Sequence, residues 1–113
     1  MEEFELKLFN IISNVGTARS SFIEAIRASR KGNVKEAEEL MAEGKKAYSM
    51  GHEVHMELIQ MEGTENAAKP TLLLIHAEDL MMSAETFSIL SEEFIALQKD
   101  MSAINKSLQK QEV

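Results

Sequence analysis

Apolar residues recur along this chain at steps of three and four, the period of a helix that buries one face. The first such segment covers residues 3–30. Its last turn carries Arg27, Arg30 and Lys31 ahead of Gly32, and basic residues followed by glycine are a helix stop signal. The periodic positions include Phe4, Leu8, Ile11, Val15, Ala18, Phe22 and Ile26. The pattern predicts a first helix over residues 3–30, in which Gly16 marks a bend or a close helix crossing.

A second segment follows at once. Asn33 is the predicted N-cap, and Glu36 at the third helical position completes a pattern like a capping box. The apolar period then continues to Glu62, which predicts a second helix over residues 34–62. Gly44 and Gly51 inside it each lower helix propensity by about 1 kcal/mol relative to alanine.

The third segment follows a polar stretch, residues 63–69, that ends at Pro70, the only proline. Proline is tolerated in a first helical turn because its missing N–H has no partner there. We predict a third helix over residues 70–107, followed by a frayed, solvated tail.

Three long helices with one short turn and one longer loop form an all-α, antiparallel three-helix bundle. At 113 residues the chain is expected to be a single domain, residues 1–113. Between Leu72 and Met82 the third helix is apolar in nearly every direction. A helix that is apolar on more than one face is buried on more than one face, so we expect this chain to associate with copies of itself.

Charge and composition narrow the function classes. The formal net charge is −7, and no basic stripe is present to neutralise phosphates, which disfavours nucleic acid and anionic membrane surfaces as partners. Cysteine is absent, which excludes disulfides and thiol catalysis. The chain has no run of about 18 apolar residues, the length needed to span a bilayer. The acidic N-terminus also lacks a signal peptide, so a cytoplasmic location is expected.

His76 is the candidate reactive residue, because an imidazole inside an apolar helix needs a reason to be there. Steps of three and four from His76 lead to Asp79, Ser83 and Thr86 on one side of the helix. The residues alone leave three explanations open: nucleophilic chemistry, metal binding, or a structural pair of His76 with Asp79. Neutral imidazole is a good nucleophile at pH 7, and the phosphoramidate it forms suits a relay.

The other two histidines, His52 and His55, are three residues apart, with Glu53 and Glu57 nearby. A metal pair is conceivable on that spacing, but the H-E-x-x-H pattern is absent. We interpret both as solvated or structural. No nucleophile–base–orienter triad and no phosphate-binding glycine loop is visible, which disfavours a nucleotide-dependent enzyme.

Three stretches of the chain, around His76, after Arg30 and around His55, resemble a known family. This family is the lactose/cellobiose-type enzyme IIA components of the bacterial sugar phosphotransferase system. Residues 72–81 (LLLIHAEDLM) resemble the family signature V-H-A-Q-D-H-L-M. Residues 32–41 (GNVKEAEELM) resemble the family's turn into its second helix, and residues 55–60 (HMELIQ) resemble the end of that helix.

The resemblance implies that His76 accepts a phosphoryl group from the histidine-containing phosphocarrier protein and passes it to a cysteine of enzyme IIB. The sugar is then phosphorylated as it crosses the membrane through enzyme IIC. It also implies a homotrimer of three-helix bundles in which three copies of Asp79 bind a divalent metal, usually Mg²⁺, on the threefold axis. Sugar selectivity would lie largely in the membrane component, so lactose, cellobiose and chitobiose all remain open.

Two positions depart from the family pattern. Glu78 replaces the family's glutamine and adds a negative charge, expected close to the trimer axis. Leu80 stands where the family commonly has a second histidine. Two alternatives stay open at this point. One is a non-catalytic helical adaptor with His76 and Asp79 as a structural polar pair, and the other is a histidine phosphotransfer domain of two-component signalling.

Overall fold

The computed structural model describes residues 2–67 and 69–111 of the 113-residue chain. It contains α1 (Glu3–Arg30), α2 (Val34–Gln60) and α3 (Leu72–Gln111). The helices run up, down and up, so α1 and α3 are parallel and α2 is antiparallel to both. The predicted all-α three-helix bundle is confirmed, and the described residues contain no strand.

The core lies along α1, which contacts both other helices. Six of the α1 side chains that point inward are at most 1% exposed: Leu8, Ile11, Val15, Ala18, Phe22 and Ala25. They belong to two apolar clusters, one at each end of the bundle. Ala77, Met81 and Ala84 of α3 complete the cluster at the end where α3 begins.

The two glycines inside α2 bring α1 and α2 close together. A Cβ built on Gly44 would lie 2.5 Å from Cε1 of Phe22, and one built on Gly51 would lie 2.8 Å from Cγ1 of Val15. Both distances are too short for carbon atoms in contact. By contrast, α1 is one continuous helix past Gly16, where an added Cβ would meet nothing within 4 Å. The close crossing predicted for Gly16 was therefore wrong, and the close approach lies at Gly44 and Gly51.

The helix ends differ from prediction at three places. The second helix ends at Gln60, not 62, because the N–H groups of Met61 and Glu62 donate to carbonyls three residues back before Gly63 turns with φ 81°. The third helix begins at Leu72, not 70, because Thr71 caps it: its hydroxyl accepts the N–H of Leu74 at 3.1 Å. It then continues to Gln111, not 107, since no glycine or proline stops it.

The α2–α3 contact is more polar than the contacts made by α1. Two lysine–glutamate pairs, Lys45–Glu92 and Lys99–Glu38, join the half of the bundle near the α1–α2 turn. A histidine–glutamate pair joins the half near the start of α3. Within the described residues, no helix is both long enough and apolar enough to cross a bilayer.

Candidate functional site

His76 lies just over one turn into α3 and is exposed. Among residues 2–67 and 69–111, neither of its ring nitrogens takes part in a hydrogen bond or ion pair. The turn before His76 is held by the Thr71 cap. The residue after His76, Ala77, is 1% exposed and lies in the core. The imidazole is therefore accessible to solvent, while the backbone that carries it is held by the cap and by the core.

Three neighbouring side chains leave this turn in three directions, because each residue turns the helix by about 100°. His76 shares its side of α3 with Phe87, which lies three turns further on and under the guanidinium of Arg19 of α1, 5.2 Å from the ring centroid. Glu78 points to α2. Asp79 lies between these two flanks, on the side away from the bundle.

That side of α3 carries a mainly apolar row, which we call the outer stripe. Its members recur at steps of three and four: Leu72, Ile75, Asp79, Met82, Thr86, Leu90, Phe94, Leu97, Met101, Ile104 and Leu108. All of them are exposed, Leu72 by 83% and Met82 by 69%. Most of the exposed large apolar side chains of the chain lie on α3. Such a row is typical of a helix that pairs with further helices.

On the flank that faces α2, Glu78 contacts His55. Nε2 of His55 lies 2.6 Å from Oε1 and 2.8 Å from Oε2 of Glu78, and it donates because a carboxylate only accepts. His52 tilts against His55 and stacks on Tyr48, with ring centroids 6.2 Å and 5.9 Å apart. Burial, and secondarily the carboxylate of Glu85, raises the pKa of Tyr48 above its usual 10.0.

This geometry decides between several predictions. His76 and Asp79 are both exposed and make no bond to each other in the described part of the chain, so the structural pair predicted by the adaptor alternative is not formed. His55 is bonded to Glu78 and His52 is exposed, which are arrangements that the interpretation of both as solvated or structural allows. Sequence reasoning missed the His55–Glu78 contact, since 23 residues separate the two in the chain.

The structure also shows where Glu78 and Leu80, the two departures from the family pattern, lie. Glu78 was expected near the axis beside Asp79, but its carboxylate is turned to α2 and held by His55. Leu80 is half-buried and packs on the apolar cluster beneath the turn. No second imidazole stands beside His76 at that position.

A metal would have a single acid to bind here. Asp79 presents a carboxylate, a ligand that Mg²⁺ prefers, but residues 2–67 and 69–111 of one chain hold no group of three or more His, Cys, Asp or Glu suited to a metal ion. The residue type fits, but one carboxylate is not a full ligand set for such an ion.

Residues 6–99 match the family described as the PTS system, Lactose/Cellobiose specific IIA subunit. The lichenan-specific phosphotransferase enzyme IIA component of Bacillus subtilis is 39% identical over 85 residues, covering 75% of this chain and 77% of the relative. The oligo-beta-mannoside-specific EIIA component of the same species is 40% identical over 75 residues, 66% of this chain and 68% of the relative.

A more distant relative and a solved structure agree. The N,N'-diacetylchitobiose-specific EIIA component of Escherichia coli (strain K12) is 31% identical over 83 residues, 74% of this chain and 72% of the relative. The crystal structure of the PTS cellobiose-specific enzyme IIA from Bacillus anthracis superposes with a TM-score of 0.87 at 39% identity, covering 91% of this chain and 94% of that one. Sequence and fold therefore point to the same kind of protein.

Proposed function

The chain belongs to the lactose/cellobiose-specific IIA subunits of the phosphotransferase system, and from that membership we propose that His76 is the residue that carries the phosphoryl group. As a IIA subunit it is a phosphotransferase component of phosphoenolpyruvate-dependent sugar transport. We further propose that it works in the cytoplasm between the histidine-containing phosphocarrier protein as donor and enzyme IIB as acceptor.

The observation that carries this proposal is the contrast among the three histidines. Nε2 of His55 is bonded to Glu78 and its Nδ1 is buried, while His52 stacks on Tyr48. His52 and His76 are both exposed with neither ring nitrogen bonded in the described residues, but of these two rings only that of His76 also makes no aromatic contact there. A phosphoryl acceptor needs a nitrogen lone pair that a partner protein can reach.

The proposed step needs only one imidazole. The unprotonated ring nitrogen of His76, Nε2 by family resemblance, attacks the phosphorus in line. A new N–P bond forms as the bond from phosphorus to the donor's histidine breaks, and the proton on the other ring nitrogen stays in place. In the second transfer a thiolate of enzyme IIB attacks, an S–P bond forms, and neutral imidazole leaves. Catalysis comes mainly from positioning in the two complexes.

The sugar is proposed from the relatives. Those compared above are named for lichenan, oligo-beta-mannoside, N,N'-diacetylchitobiose and cellobiose. We propose that this chain serves the uptake of a disaccharide or short oligosaccharide of that kind.

We also propose that the protein is a homotrimer in which the outer stripes of three α3 helices pack against one another. The row of exposed apolar side chains supports this, because a lone bundle would leave it in water. The row also continues through Met101, Ile104 and Leu108, beyond residue 99, where the family match ends. The steps of three and four are those of helices that pair along a shared axis.

Asp79 lies in the middle of that row. Three copies in a trimer would bring three carboxylates together, and they would repel unless a cation lay between them. We propose that three Asp79 carboxylates hold one divalent cation, Mg²⁺ being the hard cation that such oxygens suit. The ion would neutralise the charge and help to hold the three helices together.

The carrier proposal is tested by incubating the protein with labelled phosphoenolpyruvate, enzyme I and the phosphocarrier protein. The wild type is expected to take up an acid-labile, alkali-stable label, and His76→Ala is expected to take up none. His52→Ala and His55→Ala are the matched histidine controls and should still be labelled. A His76→Ala protein that labels like the wild type, or a wild type that stays unlabelled with active partners, would contradict the proposal.

A further inference from the structure

One close contact between titratable groups does not appear in the transfer steps proposed above. His55 of α2 and Glu78 of α3 meet at 2.6 Å, and the side chain of His55 is only 15% exposed. Its other nitrogen, Nδ1, is buried and has no hydrogen-bond partner within residues 2–67 and 69–111. A buried polar atom without a partner is costly, and the contact with Glu78 is the one hydrogen bond that this imidazole makes in the described residues.

The surroundings of the pair indicate a contact between helices, not a ligand site. The rings of Tyr48, His52 and His55 follow one another along α2, which restricts the movement of the His55 ring. The cleft at this place measures about 150 Å³. No group suited to a metal ion occurs in the described ranges. The pair is therefore a polar tether from His55 of α2 to Glu78 of α3, two residues after His76.

The position of the tether along the bundle gives it a particular role. The two lysine–glutamate pairs between α2 and α3, Lys45–Glu92 and Lys99–Glu38, lie in the other half of the bundle. In the half that contains His76, the His55–Glu78 pair is the polar contact between α2 and α3 among residues 2–67 and 69–111.

We propose that His55 is a positioning residue for phosphoryl transfer at His76, acting through Glu78. This inference rests on the proposed function of His76. Ala77 anchors the inner side of this turn in the core, but apolar contacts are not directional, so they restrain a small rotation of the turn about the helix axis less than a hydrogen bond does. A hydrogen bond to one flank opposes that rotation. Glu78 is two residues after His76, about 200° around the helix, so fixing Glu78 fixes the direction in which His76 points.

Fixing this rotation matters because transfer between two proteins depends on alignment. When a reacting atom moves a short way out of the reactive geometry, much of the rate advantage of aligning the reactants is lost. His55→Ala leaves Glu78 without its partner and frees the turn. We expect the rate of phosphorylation of His76 to fall about three- to tenfold, with faster amide hydrogen exchange across residues 72–80.

The conservative variant separates positioning from a general loss of stability. In His55→Gln the amide N–H₂ can still donate to Glu78, so most of the rate should return. Glu78→Ala should match His55→Ala, and the double variant should be no slower than either single variant because both remove the same contact. Lys45→Ala is the matched control: it removes a tether between the same two helices in the other half, and it should leave the rate unchanged.

Two results would overturn the inference: a rate for His55→Ala equal to that of the wild type, or an equal slowing by Lys45→Ala. Failure of the proposed function gives a different signature, namely no label on the wild type. Hydrogen exchange still tests the tether in that case. Unchanged exchange across residues 72–80 in His55→Ala would then refute it.

Discussion

The two faces of α3 are both apolar, yet only one has a partner within the chain. Met81 and Met82 are neighbours in the sequence, but Met81 is 4% exposed in the core and Met82 is 69% exposed on the outer stripe. The inner face packs on α1 and α2 through Ala77, Met81 and Ala84. The outer stripe shows the same residue chemistry, but it lies outside both core clusters and is exposed in the described bundle.

The difference separates residues that build the core of one chain from residues that would contact other copies of the chain. The inner face alone accounts for the fold, and the outer stripe adds nothing to the core of one chain. An exposed row of this length is costly in water. Its retention is explained if three copies cover it, and His76, on the flank beside the row, then stays open to partner proteins.

The largest effect is expected from placing a charge in the outer stripe. Leu97→Glu lies in the same direction as Asp79, five helical turns further on, and in a trimer it would bury three uncompensated carboxylates at a cost of several kcal/mol. We expect a particle of one chain, 12.7 kDa, in light scattering at micromolar concentration, with the helix content unchanged.

Gln60→Glu is the control for that variant, since it adds the same charge at an exposed position of α2 and should remain a trimer. A wild-type protein that is itself a monomer under these conditions would refute the trimer, and a Leu97→Glu protein that stays trimeric would refute the outer stripe as its interface.

The adjacent methionines give a smaller and more direct comparison. Met81→Ala empties part of the core and should lower the free energy of unfolding by about 2–5 kcal/mol at every protein concentration. Met82→Ala should change the free energy of unfolding of the dissociated chain by at most about 0.5 kcal/mol. Its destabilising effect should appear only where the trimer is populated. Denaturant unfolding over a range of protein concentrations measures both; equal, concentration-independent losses would contradict the distinction.

The smallest effect on assembly is expected at Asp79. Asp79→Leu exchanges three repelling carboxylates for apolar contacts, so the trimer should persist or tighten while the bound divalent ion is lost. Elemental analysis after dialysis against Mg²⁺ should find one ion per three wild-type chains and none in the variant. Asp100→Leu, the same change further along α3, should keep the ion. A variant at Asp79 with its metal retained would refute this site.

The sequence predicted the helices better than the contacts between them. Periodicity placed α1 at its observed ends, because a basic last turn and Gly32 stop it. The start of α3 escaped prediction because the hydroxyl of Thr71, and not the ring of Pro70, begins the helix. The close approach at Gly44 depends on Phe22 of another helix, and no local pattern contains that information.

The same distinction holds for the site. His76 and Asp79 could be selected from one helix because their residue types and the family signature are local. The partner of Glu78 could not, since the alignment of α2 on α3 brings His55 to it. The three-residue spacing of His52 and His55 gave no indication of a partner outside α2, whereas His55 bonds across to α3.

The most direct test of the central claim observes all three histidine rings in one protein. Long-range ¹H–¹⁵N NMR spectra resolve the two nitrogens of each ring before and after phosphorylation through the phosphocarrier protein. We predict that one nitrogen of His76 acquires the phosphorylated shift, while the rings of His52 and His55 keep their signals. A phosphorylated signal on His55 or His52, with His76 unchanged, would contradict the account.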